Sequence, residues 1–350
     1  MRRSPRPAQI TLLLTALAVG CATEPGVGPD SGSASAAAAS AGLELDPPER
    51  GFQVQSLGVM VEPGDEVRWC EVVRLPGGPG DVFYVDRIEA ALTGGATDLV
   101  VSAAEVGSTT EEIMDVGARV PCTRAGEAFG EDLRRFMTTQ APYEERTYPD
   151  GVAKVVQGGQ KLALDYRYRN QGEEPLAAVV KLNFHTVDER LVRSVAHTAS
   201  FQNLTIYTPP GGRSSHLGEC VFDQPVTVNN LVRRTQQHGT GFSVWVAGGE
   251  RDGELLWYSP HRDDNALELD EPLTLGPGEG FRFQCDYLND NDRELRFGVG
   301  SEDETCTLDA TFWAAEDADE DGLVDPADGL EMAPQGCLLL EVDDDGIARD

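Results

Sequence analysis

The sequence predicts an all-β fold with two sandwich or jelly-roll domains in series, and three observations carry that expectation. Short apolar/polar alternations recur from Phe52 to Trp313, and Gly, Pro, Asn and Asp stand at their ends. The chain has 350 residues, the length of two ordinary domains, and its hydrophobic fraction of 40% is enough for packed cores.

The N-terminus reads as an address. Arg2, Arg3 and Arg6 form a basic region, and Ile10 to Val19 is an apolar run too short to span a bilayer. It closes on Ala18-Val19-Gly20-Cys21, which looks like a bacterial lipobox with Cys21 as the lipid-bearing residue. Residues 1–21 are therefore expected to be a lipoprotein signal. Two or more acyl chains on Cys21 would be a lasting membrane anchor, which places the chain in the cell envelope of a bacterium, at the outer membrane or cell surface. Residues 22–50 follow as a flexible linker, rich in Gly, Ser and Ala and without periodicity.

In the first domain, 51–197, strands are expected over Glu66–Leu75, Val82–Ala91, Asp98–Ala104, Lys161–Asn170 and Leu176–Phe184. One segment departs from this pattern. Glu127 to Gln140 carries Phe129, Leu133, Phe136 and Met137 at helical spacing, with acidic residues early and Arg134 and Arg135 later, so a short helical insertion is expected there. The second domain, 198–314, has expected strands over Phe201–Tyr207, Val226–Arg234, Gly241–Ala247, Glu254–Tyr258, Gly280–Leu288, Arg293–Val299 and Thr305–Trp313. After it the composition turns acidic, and 315–350 is a C-terminal tail.

Charge and cysteines narrow the function classes. Asp and Glu number 60 against 28 Lys and Arg, for a formal net charge of −32. Such a chain repels nucleic acid, which is excluded as a partner. There are seven cysteines. With Cys21 set aside for lipid, six remain, and in an exported protein they imply three disulfides with fifteen connectivities open. No GxSxG, HExxH, P-loop or CxxC motif is present.

Two stretches carry metal chemistry. The first is Gln236-Gln237-His238-Gly239-Thr240-Gly241, ahead of a strand. A His at the mouth of a β domain is a means of holding a transition metal, although it is more often only a polar residue at a strand end. The second lies in the tail. Asp317, Asp319, Asp321, Leu323, Asp325 and Asp328 fit a DxDxDG calcium loop, with Gly322 at its sharp turn. Asp328 is shorter than the usual closing Glu, and Pro326 argues against flanking helices, so the expectation is a calcium-stapled extracellular loop binding at roughly 0.1–1 mM. The competing reading is an acidic spacer.

Taken together the motifs resemble the copper type II, ascorbate-dependent monooxygenases, the group of peptidylglycine α-hydroxylating monooxygenase and dopamine β-monooxygenase. The resemblance runs from about Phe52 to Trp313. His238-Gly239-Thr240-Gly241 is similar to the end of the family's HTHxxG motif, and Trp257-Tyr258-Ser259-Pro260-His261 to its next segment. Phe283-Gln284-Cys285, Asn291 to Leu295, and Gly298 to Cys306 follow in the family's order. In the first half Arg68-Trp69-Cys70, Arg74-Leu75-Pro76, Ala141-Pro142, Pro149 to Val152 and Leu164 to Tyr168 do the same. The resemblance implies two tandem jelly rolls, each with one copper, and disulfides Cys70–Cys122, Cys285–Cys306 and Cys220–Cys337.

It also implies where copper ligands should stand. At the oxygen-activating site the positions are Gln236, His238 and Thr305. At the electron-storing site they are the Gly95–Asp98 neighbourhood and Arg167, where no His stands. A guanidinium has no lone pair to offer. One ligand of six is retained, so the expectation is an exported lipoprotein that has lost catalysis and acts as a binding or structural protein, a pseudoenzyme whose protein or small-molecule ligand is unknown. The alternative is an active copper monooxygenase with a single altered site around His238. Arg234 stands where the amidating enzyme binds a substrate carboxylate, and is the anion-binding candidate.

Overall fold

Tyr166 faces Trp69 across one strand pair and Leu99 across another, which places Lys161–Arg169 in the middle of a sheet, where its near-continuous burial is expected. The computed structural model describes residues 43–122, 133–262, 264–298, 300, 302–315 and, for the backbone, 335–342 and 348–349. The described residues all lie in one compact unit running from Gly32 to Asp350.

The first half contains β1 (Gly51–Gln55), β2 (Val59–Val61), β3 (Glu66–Arg74), β4 (Val82–Leu92), β5 (Ala96–Ala104), the short helix α1 (Thr109–Ile113), β6 (Arg119–Pro121), β7 (Leu133–Thr139), β8 (Tyr143–Thr147), β9 (Val152–Gln157), β10 (Lys161–Arg169), β11 (Leu176–Ala178), β12 (Val180–Val187) and β13 (Ser194–Val195). The second half contains β14 (His197–Asn203), β15 (Tyr207–Thr208), β16 (Arg213–Val221), β17 (Val226–Arg234), β18 (Gly239–Ala247), β19 (Leu255–Ser259), β20 (Ala266–Leu275), β21 (Gly280–Leu288), β22 (Leu295–Arg296), β23 (Cys306–Ala314), β24 (Gln335–Val342) and β25 (Ala348–Arg349). The protein is therefore all-β. Among the described residues no helix is long and apolar enough to cross a membrane.

Four sheets dominate. One runs β1-β12-β4-β9-β13, with β8 also on β4, and its neighbour runs β6-β3-β10-β5-β7. Residues of both share one hydrophobic cluster, with Val85, Ile88 and Phe184 from the first and Leu99, Leu162 and Tyr166 from the second. In the second half one sheet runs β14-β23-β17-β20 and the other β19-β18-β21-β16-β24-β25. They share a second cluster that includes Phe201, Leu231, Phe242, Phe283 and Phe312. Strand β23 shows the logic of period 2. Cys306, Leu308, Ala310 and Phe312 belong to the second cluster. Thr307, Asp309 and Thr311 point the other way and are buried as well. Trp313, at the end of the same strand, belongs to the first cluster.

One expectation is overturned. The helix expected over Glu127–Gln140 is a strand from Leu133 to Thr139, while residues 127–132 lie outside the described part. The spacing of Leu133, Phe136 and Met137 imitates a helix because β7 is covered on both faces toward its end, so consecutive residues from Phe136 to Thr139 are buried. It pairs with β5 through an irregularity between Val101 and Ser102. Strands β16 and β20 were not foreseen. The first is broken by Ser, His and Gly, and the second is an exposed, acidic edge.

Disulfides join Cys70 to Cys122 and Cys285 to Cys306 among the described residues. Cys220 is also disulfide-bonded. Strand β24, which carries Cys337, pairs alongside it with Glu219 opposite Leu338. Cys21 and the loop of Asp317, Asp319, Asp321, Leu323, Asp325 and Asp328 lie outside the described residues.

Candidate functional site

The stretch Gln236–His238 is held by a residue that the motif reading missed. Glu304, fully buried, accepts the amide of Gln236 at 2.8 Å on Oε2 and the amide of His238 at 2.6 Å on Oε1. The amide of Thr305 donates to it as well. Burial pushes the Glu304 carboxyl up to about 7, against the pull of these three amides and of nearby Arg262. Gly239 then lets the chain turn into β18, because a Cβ there would stand 2.5 Å from Thr235 Oγ1. So Gln236, His238 and Thr305 do come together, but through their backbones and around a carboxylate. Nothing in the sequence marks Glu304, one of 60 acidic residues, as a buried one.

The side chains of Gln236 and His238 are engaged elsewhere, and the buried hydroxyl of Thr305 has no partner among the described residues. His238 Nδ1 lies 3.1 Å from Asp290 Oδ1. Its Nε2 lies 3.2 Å from both Gln237 Nε2 and Asn291 Nδ2. With Nδ1–H donating to the carboxylate, the Nε2 lone pair faces two amide donors. Gln236 uses both ends of its amide. Oε1 accepts from Arg167 Nη1, and Nε2 donates to the Gly298 carbonyl at 3.0 Å. Thr305 is buried, and its carbonyl accepts the Tyr287 hydroxyl at 2.8 Å.

The first-half positions meet the second-half ones directly. Arg167 stands opposite Asp98 in the β10–β5 register and reaches across to Gln236. Asp98 accepts from Arg234 Nε at 3.0 and 3.2 Å, so the anion-binding candidate is already paired. Beside them Asp165 is clamped by Arg68, with Nε–Oδ1 at 2.7 Å and Nη2–Oδ2 at 2.5 Å. Glu66 takes Arg169 at 2.6 Å, and Arg169 also reaches Gln237 Oε1 at 3.1 Å. Arg135 lies in the field of Asp309, Asp165 and Asp98, and burial lowers its pKa. The result is a charge-compensated seam of guanidiniums and carboxylates between the halves, with the geometry in which Arg outperforms Lys.

This donor set does not fit copper. Arg167 has no lone pair, Asp98 and Gln236 are taken by guanidiniums, and the imidazole nitrogens of His238 are both engaged. Among the described residues one group has metal-like spacing, Cys70, Cys122 and Asp165. Its two sulfurs are joined to each other and its carboxylate is held by Arg68.

The seam continues along β23. Thr138 Oγ1 donates to Asp309, and Lys154 Nζ donates to Thr198 Oγ1 at 2.6 Å while lying 4.8 Å over the Phe136 ring. Burial, then the nearby Arg146, hold Lys154 down at about 7, with Asp309 opposing. Burial, then Lys154, hold His197 down at about 4. Buried polar atoms here have no hydrogen-bond partner, among them Arg135 Nη1, Arg146 Nε, Ser200 Oγ, Thr307 Oγ1, Asp309 Oδ1 and Thr311 Oγ1. A dry group of this kind costs about 1–3 kcal/mol. Six of them rival the net stability of a whole domain, about 5–15 kcal/mol.

A second feature is an open groove of 780 Å³ between Asp46–Arg50 and strands β4, β8 and β12. His185 sits in it between Glu89, at 2.5 Å from Nε2, and Arg87, at 2.9 Å from Nδ1. Its floor is thus an internally paired charge network.

No family model matches the chain, and no curated protein does. Solved structures give distant likenesses. A structure of infectious bursal disease virus, Gx strain, is 11% identical with a TM-score of 0.16, covering 77% of this chain and 74% of that one. A point mutant of Bacillus subtilis oxalate decarboxylase is 7% identical with a TM-score of 0.16, covering 78% and 76%. A further oxalate decarboxylase structure is 8% identical with a TM-score of 0.16 and the same coverage.

Proposed function

We propose that this chain is a lipid-anchored protein of the bacterial cell envelope that binds a protein or small molecule, or serves a structural role, without copper catalysis. It is built, in this reading, on two tandem jelly rolls of the copper type II monooxygenase kind. The observation that carries it is the hydrogen bond from Arg167 to Gln236. That bond joins the two positions at which the resemblance would put ligands of separate coppers, and it fills them with a cation and an amide.

The deciding experiment is the copper content of the mature, disulfide-intact protein, with oxygen consumption in the presence of ascorbate. The expected result is no stoichiometric copper and no ascorbate-dependent oxygen uptake. Two coppers per chain with oxygen uptake would overturn the reading. One copper, with an EPR signal lost in His238→Ala, would favour a single-site enzyme instead. The acidic loop is proposed to bind calcium independently of this. Calorimetry should show binding at roughly 0.1–1 mM that Asp317→Ala and Asp321→Ala remove, and a flat titration of the unaltered protein would count against it.

A further inference from the structure

We infer that the two halves of the protein close on a shared layer of bound water, held by the polar face of the β14-β23-β17 sheet. The register puts one set of side chains on that face. Thr307, Asp309 and Thr311 alternate along β23, Ser200 and Thr198 face Asp309 and Thr311 from β14, and Arg234 faces Thr307 from β17. Opposite them stand Arg135 and Thr138 of β7, Arg146 of β8 and Lys154 of β9.

The side chains of Arg146, Thr307, Asp309 and Thr311 are at most 2% exposed, yet Arg146 Nε, Thr307 Oγ1, Asp309 Oδ1 and Thr311 Oγ1 have no protein partner. They mix donors, acceptors and hydroxyls that do either, in one continuous strip. Water satisfies such a mixture, because each molecule offers two donors and two acceptors, and a buried water makes about three bonds of this kind. A single fixed counter-ion would satisfy only one sign.

Two measurements test this. In Thr307→Val and Thr311→Val, an isosteric swap removes a hydroxyl from a strand position that accepts Val equally well. If the hydroxyls anchor water, each variant lowers the Tm by about 2–4 °C. A rise in Tm, the result for a dry and orphaned hydroxyl, would overturn the inference. Water–protein NMR then reads the layer itself. Cross-peaks from long-lived water to the amide protons of residues 307–311 are expected in the unaltered protein, and their absence would also overturn it.

Discussion

Arg234 and Asp98 lie on opposite halves of the chain, 136 residues apart, and meet through contacts of 3.0 and 3.2 Å with both side chains under 10% exposed. A pair this deep is held by its mutual compensation. Removing one partner leaves an uncompensated charge, which costs about 3–5 kcal/mol. We therefore expect Arg234→Ala and Asp98→Ala each to be strongly destabilising in denaturant titrations. The double variant should cost clearly less than the sum of the two. Simple additivity would show that the pair does not couple the halves.

Glu304 should give the stretch from Gln236 to His238 its shape. Glu304→Gln keeps the size but turns one acceptor oxygen into a donor, facing the amide of either Gln236 or His238. The expected loss is about 1–3 kcal/mol, with faster hydrogen exchange at those two amides. Unchanged exchange would refute the assignment.

The same carboxyl sets a pH slope. Its folded value of about 7 stands above the ordinary 4.5, so the folded state holds the proton more tightly. The contribution is fully present below about 4.5 and is lost as pH rises through about 7. Glu304→Gln should lack this loss of stability across that window, and a parallel pH profile for the two proteins would argue against it.

His197 titrates with the opposite consequence. Its folded value of about 4 lies below the ordinary 6.5, so the folded state keeps the ring neutral. Stability from this source is present above about 6.5 and is lost as pH falls toward 4, by up to about 3 kcal/mol. His197→Phe, beside Phe312 at a ring distance of 5.9 Å, should blunt the acid-side decline in urea midpoints. An unchanged decline would mean the ring is free to protonate in the fold.

The Cys285–Cys306 disulfide closes a loop of 21 residues and sits one residue beyond Thr305. Replacing both cysteines by Ala should cost about 2–5 kcal/mol. It should also raise hydrogen exchange at Gln236 and His238, because Glu304 is anchored next to that bridge. Loss of stability with no change at those amides would separate the two roles.

The β character of the chain was legible where a strand alternates cleanly, as in Gly280–Leu288. Strand β7 was misread because burial on both of its faces erases the period of 2 that identifies a strand. Strand β20 was missed although Leu267, Leu269, Leu273 and Leu275 alternate, because Asp270-Glu271-Pro272 interrupts the run and reads as a break. At the site, the identities of Gln236, His238 and Thr305 were readable, and so was the poverty of the ligand set. Their engagement with Asp290, Arg167 and Glu304 was not, because each contact joins positions more than fifty residues apart in sequence. Arg234 read as a free cation because its carboxylate comes from the other half.

Strand β23 faces two interiors, and its last aromatic residue enters a third environment. Leu308 and Phe312 complete the second cluster, Thr307 and Asp309 the polar seam, and Trp313 the first cluster. One nine-residue segment, 306–314, is therefore shared by both apolar interiors and by the polar face between them. A change within this one strand is then felt in both halves at once.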